Sequence, residues 1–378
     1  MLTGFHARNL KGLAEVQITL GQLTVLVGPN GVGKSTVLEG LHVLLQLAAP
    51  PGPRQAQYSM GVAGWLLRRR LSLPHLLRKP DARALWLAVE VAPEGRFAAH
   101  LEVDEAGELA SIRLTRMDGQ LLEYTGGHVP NRSFFEGLDG LASVIRLRPD
   151  PDALARPSLA ATDRPTLEAN GANLPTLLQH LAGERDGRLE RIEADLRRLV
   201  PEFRRVHTPP TTIEVVTTEN IRVDQQVLPR TQTSKVPGHR LELEFAGIGR
   251  VAAEHVSEGT LLALGLLTFL HAEPPRVVLI DDADRALHPA AQQQFVGLLK
   301  ALLAERPEVQ VVMTTHSPDL VDACAPEEIR VMGRGPDGGV HIAELTAHPD
   351  APRWLQRMRV GEFWSTVGEG WVPAEPRA

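Results

Sequence analysis

The chain has 378 residues, of which 40 are basic and 46 acidic, so its formal net charge is −6. That balance excludes a polycation that coats nucleic acid, and any nucleic-acid contact must come from a local patch. Hydrophobic residues make up 43% of the chain, as in ordinary globular proteins, and a single cysteine excludes a disulfide framework and a four-thiolate zinc site.

The sequence shows neither a signal-peptide pattern at its N-terminus nor an apolar stretch of membrane-span length. The N-terminus carries charge and glycine where a signal peptide requires an apolar run. The longest apolar stretch, residues 261–270, is about half as long as a membrane span. We therefore expect a soluble, cytoplasmic protein with no membrane partner.

The hydrophobic pattern predicts two short strands at residues 15–20 and 23–27, then a glycine-rich turn and a helix that ends near residue 48. From there to about residue 249, turns alternate with strand-like runs, among them residues 84–91, 97–103, 109–115 and 241–245. One helical section is predicted over residues 174–200, ending at a proline.

After residue 249 the pattern becomes α/β. We predict helices at 258–271 and 289–304 and from residue 318, with strands at 277–280 and 309–314. The apolar runs in these two strands do not alternate with polar residues, as expected for a sheet that is buried on both faces.

A phosphate-binding loop is predicted between the second strand and the first helix. Residues 28–36 read GPNGVGKST and match the pattern G-x-x-x-x-G-K-S/T in the required strand and helix context. The glycines allow backbone N–H groups to converge on phosphate oxygens, and the helix that begins near Lys34 adds its positive end. Lys34 is expected to reach the β and γ phosphates, and Ser35 to offer its hydroxyl to Mg²⁺.

Two acids and a histidine follow buried strands further along the chain. In VVLIDD, Asp281 is the candidate for the Mg²⁺ shell and Asp282 the candidate general base for an attacking water. Taken alone, two acids at a strand end equally well begin a solvated loop. His316 comes just past the next buried strand, where open α/β sheets bind ligands. A structural histidine is the alternative to a γ-phosphate contact.

A second helix N-terminus rich in small residues occurs in VSEGTLL, residues 256–262. It offers another phosphate-binding surface. One chain cannot fold this surface onto its own loop if the two lie on opposite edges of the site, whereas two chains facing head to tail can. The segment is therefore compatible with two chains that face each other head to tail.

The motifs GPNGVGKST, VSEGT, VVLIDDADRALHP and TTHSPDL, in this order, resemble the Walker A, signature, Walker B with D-loop, and switch-histidine motifs of ABC-type ATPases. The opening ARNLKGLAEVQITL and the later DADRALHP and THSPDLVD resemble the RecF and OLD (overcoming lysogenisation defect) group of DNA-associated ABC ATPases. Similar segments in the middle, such as VIRLRPDPDALARPS and NGANLPTLLQHL, extend the resemblance over nearly the whole chain.

The resemblance implies an α/β fold: a P-loop ABC ATPase head with a mixed β subdomain, a parallel-sheet α/β subdomain and an inserted lobe. Residues 1–49 would form the N-terminal part of the head with Walker A. Residues 50–249 would form an insert or lid with β and helical parts. Residues 250–378 would complete the head with the signature, Walker B and switch histidine.

The resemblance also implies site roles. ATP would be bound by Gly28, Pro29, Asn30, Gly31, Val32, Gly33, Lys34, Ser35 and Thr36. Ser35 and Asp281 would hold Mg²⁺, with Lys34, Asp282 and His316 catalytic. Ser257 and Gly259 would cap the nucleotide of the partner protomer in an ATP-dependent head-to-tail homodimer. The implied role is in anti-phage defence or DNA repair.

Four features depart from the family pattern. Asp282 stands where glutamate is common, which predicts slow hydrolysis. Only 62 residues follow His316, too few for the TOPRIM nuclease domain of full OLD proteins, so we expect a separate effector partner encoded elsewhere. No zinc hook or long coiled coil is found. No Q-loop glutamine can be assigned.

A basic segment at residues 61–79 contains no acid. It could bind DNA phosphates or form an amphipathic helix that covers the core or a partner. Its basic residues are Arg68, Arg69, Arg70, Arg78 and Lys79.

Three other functions remain open. A slow or non-hydrolysing nucleotide switch would scaffold a partner protein without binding DNA directly. A transporter subunit is disfavoured by the 247-residue separation of Lys34 and Asp281 and by SEGT in place of SGGQ. A small-molecule kinase would leave the VSEGT segment without a role.

Overall fold

The structure is a computed structural model that describes residues 1–48, 73–78, 82–105, 109–124, 132–148, 150–160, 165–223, 226–272, 276–285, 287–336 and 338–372. The chain divides into two compact units. The first contains Met1–Leu147, Pro275–Asp284 and Val296–Ala378, and the second contains Arg148–Pro274 and Arg285–Phe295. The sequence-based division at residues 49 and 249 stays a prediction.

Up to residue 207 the elements are β1 (Leu2–Leu10), β2 (Leu13–Thr19), β3 (Leu23–Val27), α1 (Lys34–Leu47), α2 (Leu73–Leu76), β4 (Ala84–Val91), β5 (Gly95–Val103), β6 (Leu109–Thr115), β7 (Leu121–Tyr124), α3 (Asp139–Ala142), β8 (Val144–Leu147), α4 (Pro151–Ala155), β9 (Ser158–Leu159), α5 (Leu174–Glu184), α6 (Arg188–Leu199) and β10 (Phe203–His207). After it come β11 (Pro210–Val223), β12 (Gln226–His239), β13 (Glu242–Phe245), β14 (Gly249–Ala252), α7 (Glu258–Ala272), β15 (Val277–Ile280), α8 (Pro289–Glu305), β16 (Gln310–Thr314), α9 (Pro318–Val321), β17 (Ile329–Arg334), β18 (Val340–Glu344), α10 (Ala351–Trp354) and α11 (Val360–Val367).

The first unit contains two six-stranded sheets. One is antiparallel throughout, in the order β2-β1-β4-β5-β6-β7. The other has the order β18-β17-β3-β16-β15-β8 and is parallel from β17 to β8, with β18 antiparallel at its edge. All residues of β3, β15 and β16 are buried, which confirms the burial predicted for the strands at 277–280 and 309–314 from their apolar runs. These sheets confirm the predicted fold class.

Helix α1 lies between the two sheets. It contacts β1, β4 and β5 of the antiparallel sheet and β8, β15 and β16 of the parallel sheet. Nine of its 14 residues are buried. A Cβ at Gly40 would lie 3.0 Å from the Phe5 ring, so glycine permits the close approach of α1 to β1. Packing on both sides fixes the direction in which the N-terminus of α1 points.

The second unit consists of helices and short antiparallel sheets, with a long hairpin of β11 and β12 paired from Pro210↔His239 to Val223↔Gln226. The predicted helix over residues 174–200 is wrong as a single element, because it is broken into α5 and α6. Arg185 (φ 54°) and Gly187 (φ 84°) have left-handed backbones, which end one helix and redirect the chain before the next.

The described residues bear only partly on two sequence predictions, the basic segment at residues 61–79 and the lack of a membrane partner. Arg68, Arg69, Arg70 and Lys79 of the basic segment lie outside the described residues, whereas Arg78 is described and exposed. No helix in the described ranges is long and apolar enough to span a membrane.

The imidazole of His42, on α1, is partly buried. Its Nδ1 atom is buried and has no hydrogen-bond partner among the described residues. Burial lowers its pKa to about 4, and the positive charge of Arg146 contributes in the same direction. His42 is therefore neutral in the folded protein at neutral pH.

This burial predicts acid sensitivity. As pH falls from about 6.5 to 4, the unfolded chain takes up a proton at His42 that the folded protein does not, so the free energy of unfolding decreases, by at most about 3 kcal/mol. His42→Leu should lose less stability over this window in urea titrations. His75→Leu, at an exposed histidine, is the matched control. Identical pH profiles for wild type and His42→Leu would contradict the assignment.

Candidate functional site

The loop from Gly28 to Gly33 connects β3 to α1 at the carboxyl end of the parallel sheet. Gly28 (φ 144°) and Gly33 (φ 119°) both have backbones that favour glycine. A Cβ at Gly28 would overlap the carbonyl oxygen of Met332, and one at Gly33 would lie 2.7 Å from a Leu13 methyl. Among the described residues no side chain caps the start of α1, which leaves its first N–H groups available to an anion.

The side chain of Lys34 folds back into this loop. Its Nζ donates to the carbonyl oxygens of Gly28 (2.8 Å) and Pro29 (3.1 Å) and lies 3.5 Å from Nδ1 of His316. Burial lowers the pKa of Lys34, and the carboxylates of Asp282, Asp284, Asp281 and Glu369 oppose that shift. The predicted lysine and histidine therefore meet at the loop, with acids nearby.

The carboxylate of Asp281 binds three side chains from three elements. Ser35 Oγ donates to Oδ1 at 2.7 Å, and Thr314 Oγ1 donates to the same oxygen at 3.0 Å. Arg146 Nη2 donates to Oδ2 at 3.0 Å. The Asp281 side chain is only 3% exposed. A serine hydroxyl beside a carboxylate is an oxygen donor set that suits Mg²⁺, so these residues fit the predicted metal site.

Asp282 has an unusual backbone for a residue other than glycine. Its φ is 53°, in the left-handed region, and its N–H donates to Thr314 Oγ1 at 2.8 Å. Asparagine and aspartate occupy this region more often than other non-glycine residues, because their short polar side chains can hydrogen-bond locally. Backbone strain of this kind clusters at functional sites.

The segments after β15 and β16 are tied together by Asp284. Its Oδ1 accepts hydrogen bonds from Thr315 Oγ1 (2.7 Å) and from the backbone N–H of His316 (3.2 Å). In the loop between β3 and α1, the carbonyl oxygen of Gly31 accepts a hydrogen bond from Arg334 Nη2 at 2.8 Å. Asp284 and Arg334 therefore hydrogen-bond to backbone atoms of His316 and Gly31, next to the predicted site.

Sequence reasoning missed the residues that organise these contacts. Thr314 ends β16 after the apolar run VVM and Thr315 follows it, while Arg146 interrupts the apolar run VIRL, so a polar residue beside or within a buried apolar run was the available signal. Arg334 gave no such signal, because its partner is a backbone carbonyl 303 positions away.

Ser257 and Gly259 lie in the second unit, at the start of the 15-residue helix α7. The Ser257 hydroxyl lies 2.8 Å from Thr260 Oγ1 and accepts a hydrogen bond from the Thr260 N–H at 3.3 Å. Ser257 thus caps its own helix while remaining exposed. Its predicted contact with the nucleotide of a partner protomer stays a prediction.

Several curated proteins are similar to this chain. OLD nuclease from Thermus scotoductus is 22% identical over 383 residues, covering 91% of this chain and 64% of that protein. The chain thus spans less than two thirds of that relative. The DNA replication and repair protein RecF from Picosynechococcus is 24% identical, covering 83% of this chain and 90% of that protein. Septu protein PtuA from Bacillus thuringiensis is 38% identical over 91 residues, 24% of this chain and 22% of that protein.

A solved structure supports the fold. The Smc head bound to the C-winged helix domain of ScpA superposes with a TM-score of 0.54 at 16% identity, covering 90% of this chain and 97% of that one.

The family profile described as "AAA domain, putative AbiEii toxin, Type IV TA system" matches residues 23–73 and 132–322, which is more than half of the chain. The chain has the fold of an ABC ATPase head, is related to OLD nuclease and RecF, and belongs to this AAA domain family.

Proposed function

We propose that this protein binds ATP with Mg²⁺ and hydrolyses it. The observation that carries the proposal is the 2.7 Å hydrogen bond between Ser35 and Asp281, which brings the end of the phosphate loop to the acidic strand end. Lys34 lies at the same loop and is 3.5 Å from His316. Family membership supports the assignment.

Each residue has a distinct chemical role in this proposal. The N–H groups at the start of α1 and the ammonium of Lys34 bind the β and γ phosphates. Ser35 and Asp281 hold Mg²⁺, which neutralises phosphate charge when bound. Asp282 orients and polarises the attacking water, and His316 contacts the γ-phosphate. Positioning and charge neutralisation supply most of the catalysis.

We further propose that ATP closes two protomers head to tail, as an ATP-dependent homodimer. The start of α7, with Ser257 and Gly259, would cap the nucleotide that the partner protomer holds. Support comes from the exposed position of Ser257 and from a helix N-terminus that attracts phosphate.

The proposed context is a DNA-linked process, either anti-phage defence or DNA repair, with a separate effector partner. The relatives support it through their names: an OLD nuclease, a Septu protein and a DNA replication and repair protein. The basic segment at residues 61–79 is the proposed DNA contact, through Arg68, Arg69, Arg70, Arg78 and Lys79.

A nucleotide switch is the second candidate, and the aspartate at position 282 favours it. A carboxylate that is one methylene shorter than glutamate reaches less far toward a bound water. The protein would then turn over slowly and scaffold a partner while ATP is bound, without binding DNA itself.

Lys34→Ala should weaken ATP binding by about 10- to 100-fold, because charge-assisted hydrogen bonds to phosphate are lost. Titration with a fluorescent ATP analogue in the presence of Mg²⁺ measures this loss. Lys300→Ala is the matched control, since Lys300 lies in the same unit and pairs with Glu328 at 2.8 Å. Equal affinities for Lys34→Ala and wild type would contradict the proposed phosphate site.

Asp282→Asn should lower phosphate release by about 100-fold or more while ATP still binds, because the general base is lost. With ATP and Mg²⁺ the variant should sediment as a stable dimer, and adding Ser257→Arg should return it to monomer. A single size with and without ATP would reject the head-to-tail dimer.

Repeating the sedimentation run with duplex DNA at two salt concentrations tests the DNA contact, since phosphate contacts give a steep salt dependence.

The switch candidate predicts a wild-type turnover well below about 1 s⁻¹, the low end for typical enzymes. Asp282→Glu should then increase turnover, because the longer side chain reaches the water. Steady-state phosphate release, normalised to nucleotide occupancy, measures both rates. An unchanged or lower rate for Asp282→Glu would count against the side-chain length as the cause of slow turnover.

A further inference from the structure

Arg146 is a cation in an apolar strand of the parallel sheet. Strand β8 reads VIRL and pairs in parallel with β15, with Arg146 opposite Leu279. Its Nη2 atom lies 3.0 Å from Oδ2 of Asp281, which is the oxygen that Ser35 and Thr314 leave free. The guanidinium therefore completes the contacts of the buried carboxylate.

This ion pair is more than a surface contact. The side chains of Arg146 and Asp281 are 22% and 3% exposed, so their mutual attraction is weakly screened by water. Arginine keeps its charge at any physiological pH, so Asp281 always faces a positive group. The Nε atom of Arg146 is buried and has no hydrogen-bond partner among the described residues. Among the described residues, the Arg146 side chain hydrogen-bonds to Asp281 through Nη2.

We propose that Arg146 is a positioning residue that supplies a positive charge to Asp281 when Mg²⁺ is not bound there. This positive charge has two consequences. Both rest on the proposed function, in which this site binds ATP with Mg²⁺. First, the triphosphate can bind without Mg²⁺, because Arg146 offsets the repulsion between phosphate oxygens and the Asp281 carboxylate. Second, Mg²⁺ has to compete with Arg146 for that carboxylate, so more Mg²⁺ is needed to fill the site.

The test compares nucleotide affinity with Mg²⁺ and with EDTA, using a fluorescent ATP analogue. In Arg146→Met, the ratio of the Kd in EDTA to the Kd in Mg²⁺ should rise about 10-fold or more over wild type, as expected when an opposite charge is removed from within 4–6 Å of a carboxylate. The Mg²⁺ concentration for half-maximal binding should fall in the same variant. Arg146→Lys keeps the charge and should restore most of both values.

Arg116→Met is the control variant, because Arg116 is also a largely buried arginine of the first unit that pairs with an acid, Asp118. It should leave the ratio unchanged. The Kd in EDTA and the Kd in Mg²⁺ are measured on the same folded protein. A loss of stability alone therefore does not change their ratio. If Arg146→Met does not fold, Arg146→Gln gives the same comparison, because its amide retains a donor for Asp281.

The outcomes separate the two proposals. If wild type binds the analogue with Mg²⁺ but Arg146→Met or Arg146→Gln leaves the EDTA to Mg²⁺ ratio unchanged, the role of Arg146 is wrong and the proposed nucleotide site stands. If wild type does not bind the analogue with Mg²⁺, the proposed function fails and the inference fails with it.

Discussion

The organisation of the site depends on one buried carboxylate. Asp281 is almost fully enclosed, and an ionised carboxylate in that position is costly unless polar partners surround it. Ser35, Thr314 and Arg146 supply those partners from α1, β16 and β8, so compensating this single charge fixes four elements relative to one another. The same contacts that compensate the charge of Asp281 place the Ser35 hydroxyl beside its carboxylate, where the proposed function puts Mg²⁺.

The position of α1 follows from packing on both sides. The helix is covered by the antiparallel sheet and by the parallel sheet, so its axis has little freedom. Its N-terminus therefore points at a fixed place beside the carboxyl ends of β15 and β16, where parallel sheets collect ligands. Close contacts at Gly28 and Gly33 extend this constraint into the loop. In the proposed function, this rigidity would lower the entropic cost of orienting a triphosphate.

Asp282, the proposed general base, has a left-handed backbone that is unusual for a residue other than glycine. Aspartate accommodates that backbone more readily than glutamate, so the substitution that distinguishes this chain from the common family pattern has a conformational counterpart. Thr314 serves both acids, since its hydroxyl donates to Asp281 and accepts from the N–H of Asp282. One hydroxyl thus binds the carboxylate of Asp281 and the backbone of Asp282.

The sequence by itself determined the fold class, the glycine-rich loop between β3 and α1, and the strands β3, β15 and β16. These features are encoded locally: glycine spacing, unbroken apolar runs and the order of four short motifs. It did not determine two of the three partners of Asp281, because Arg146 and Thr314 are 135 and 33 positions away and only strand order makes them neighbours. The break between α5 and α6 and the pairing of β11 with β12 were likewise missed, because backbone angles and cross-strand register are decided by tertiary contacts that periodicity does not record.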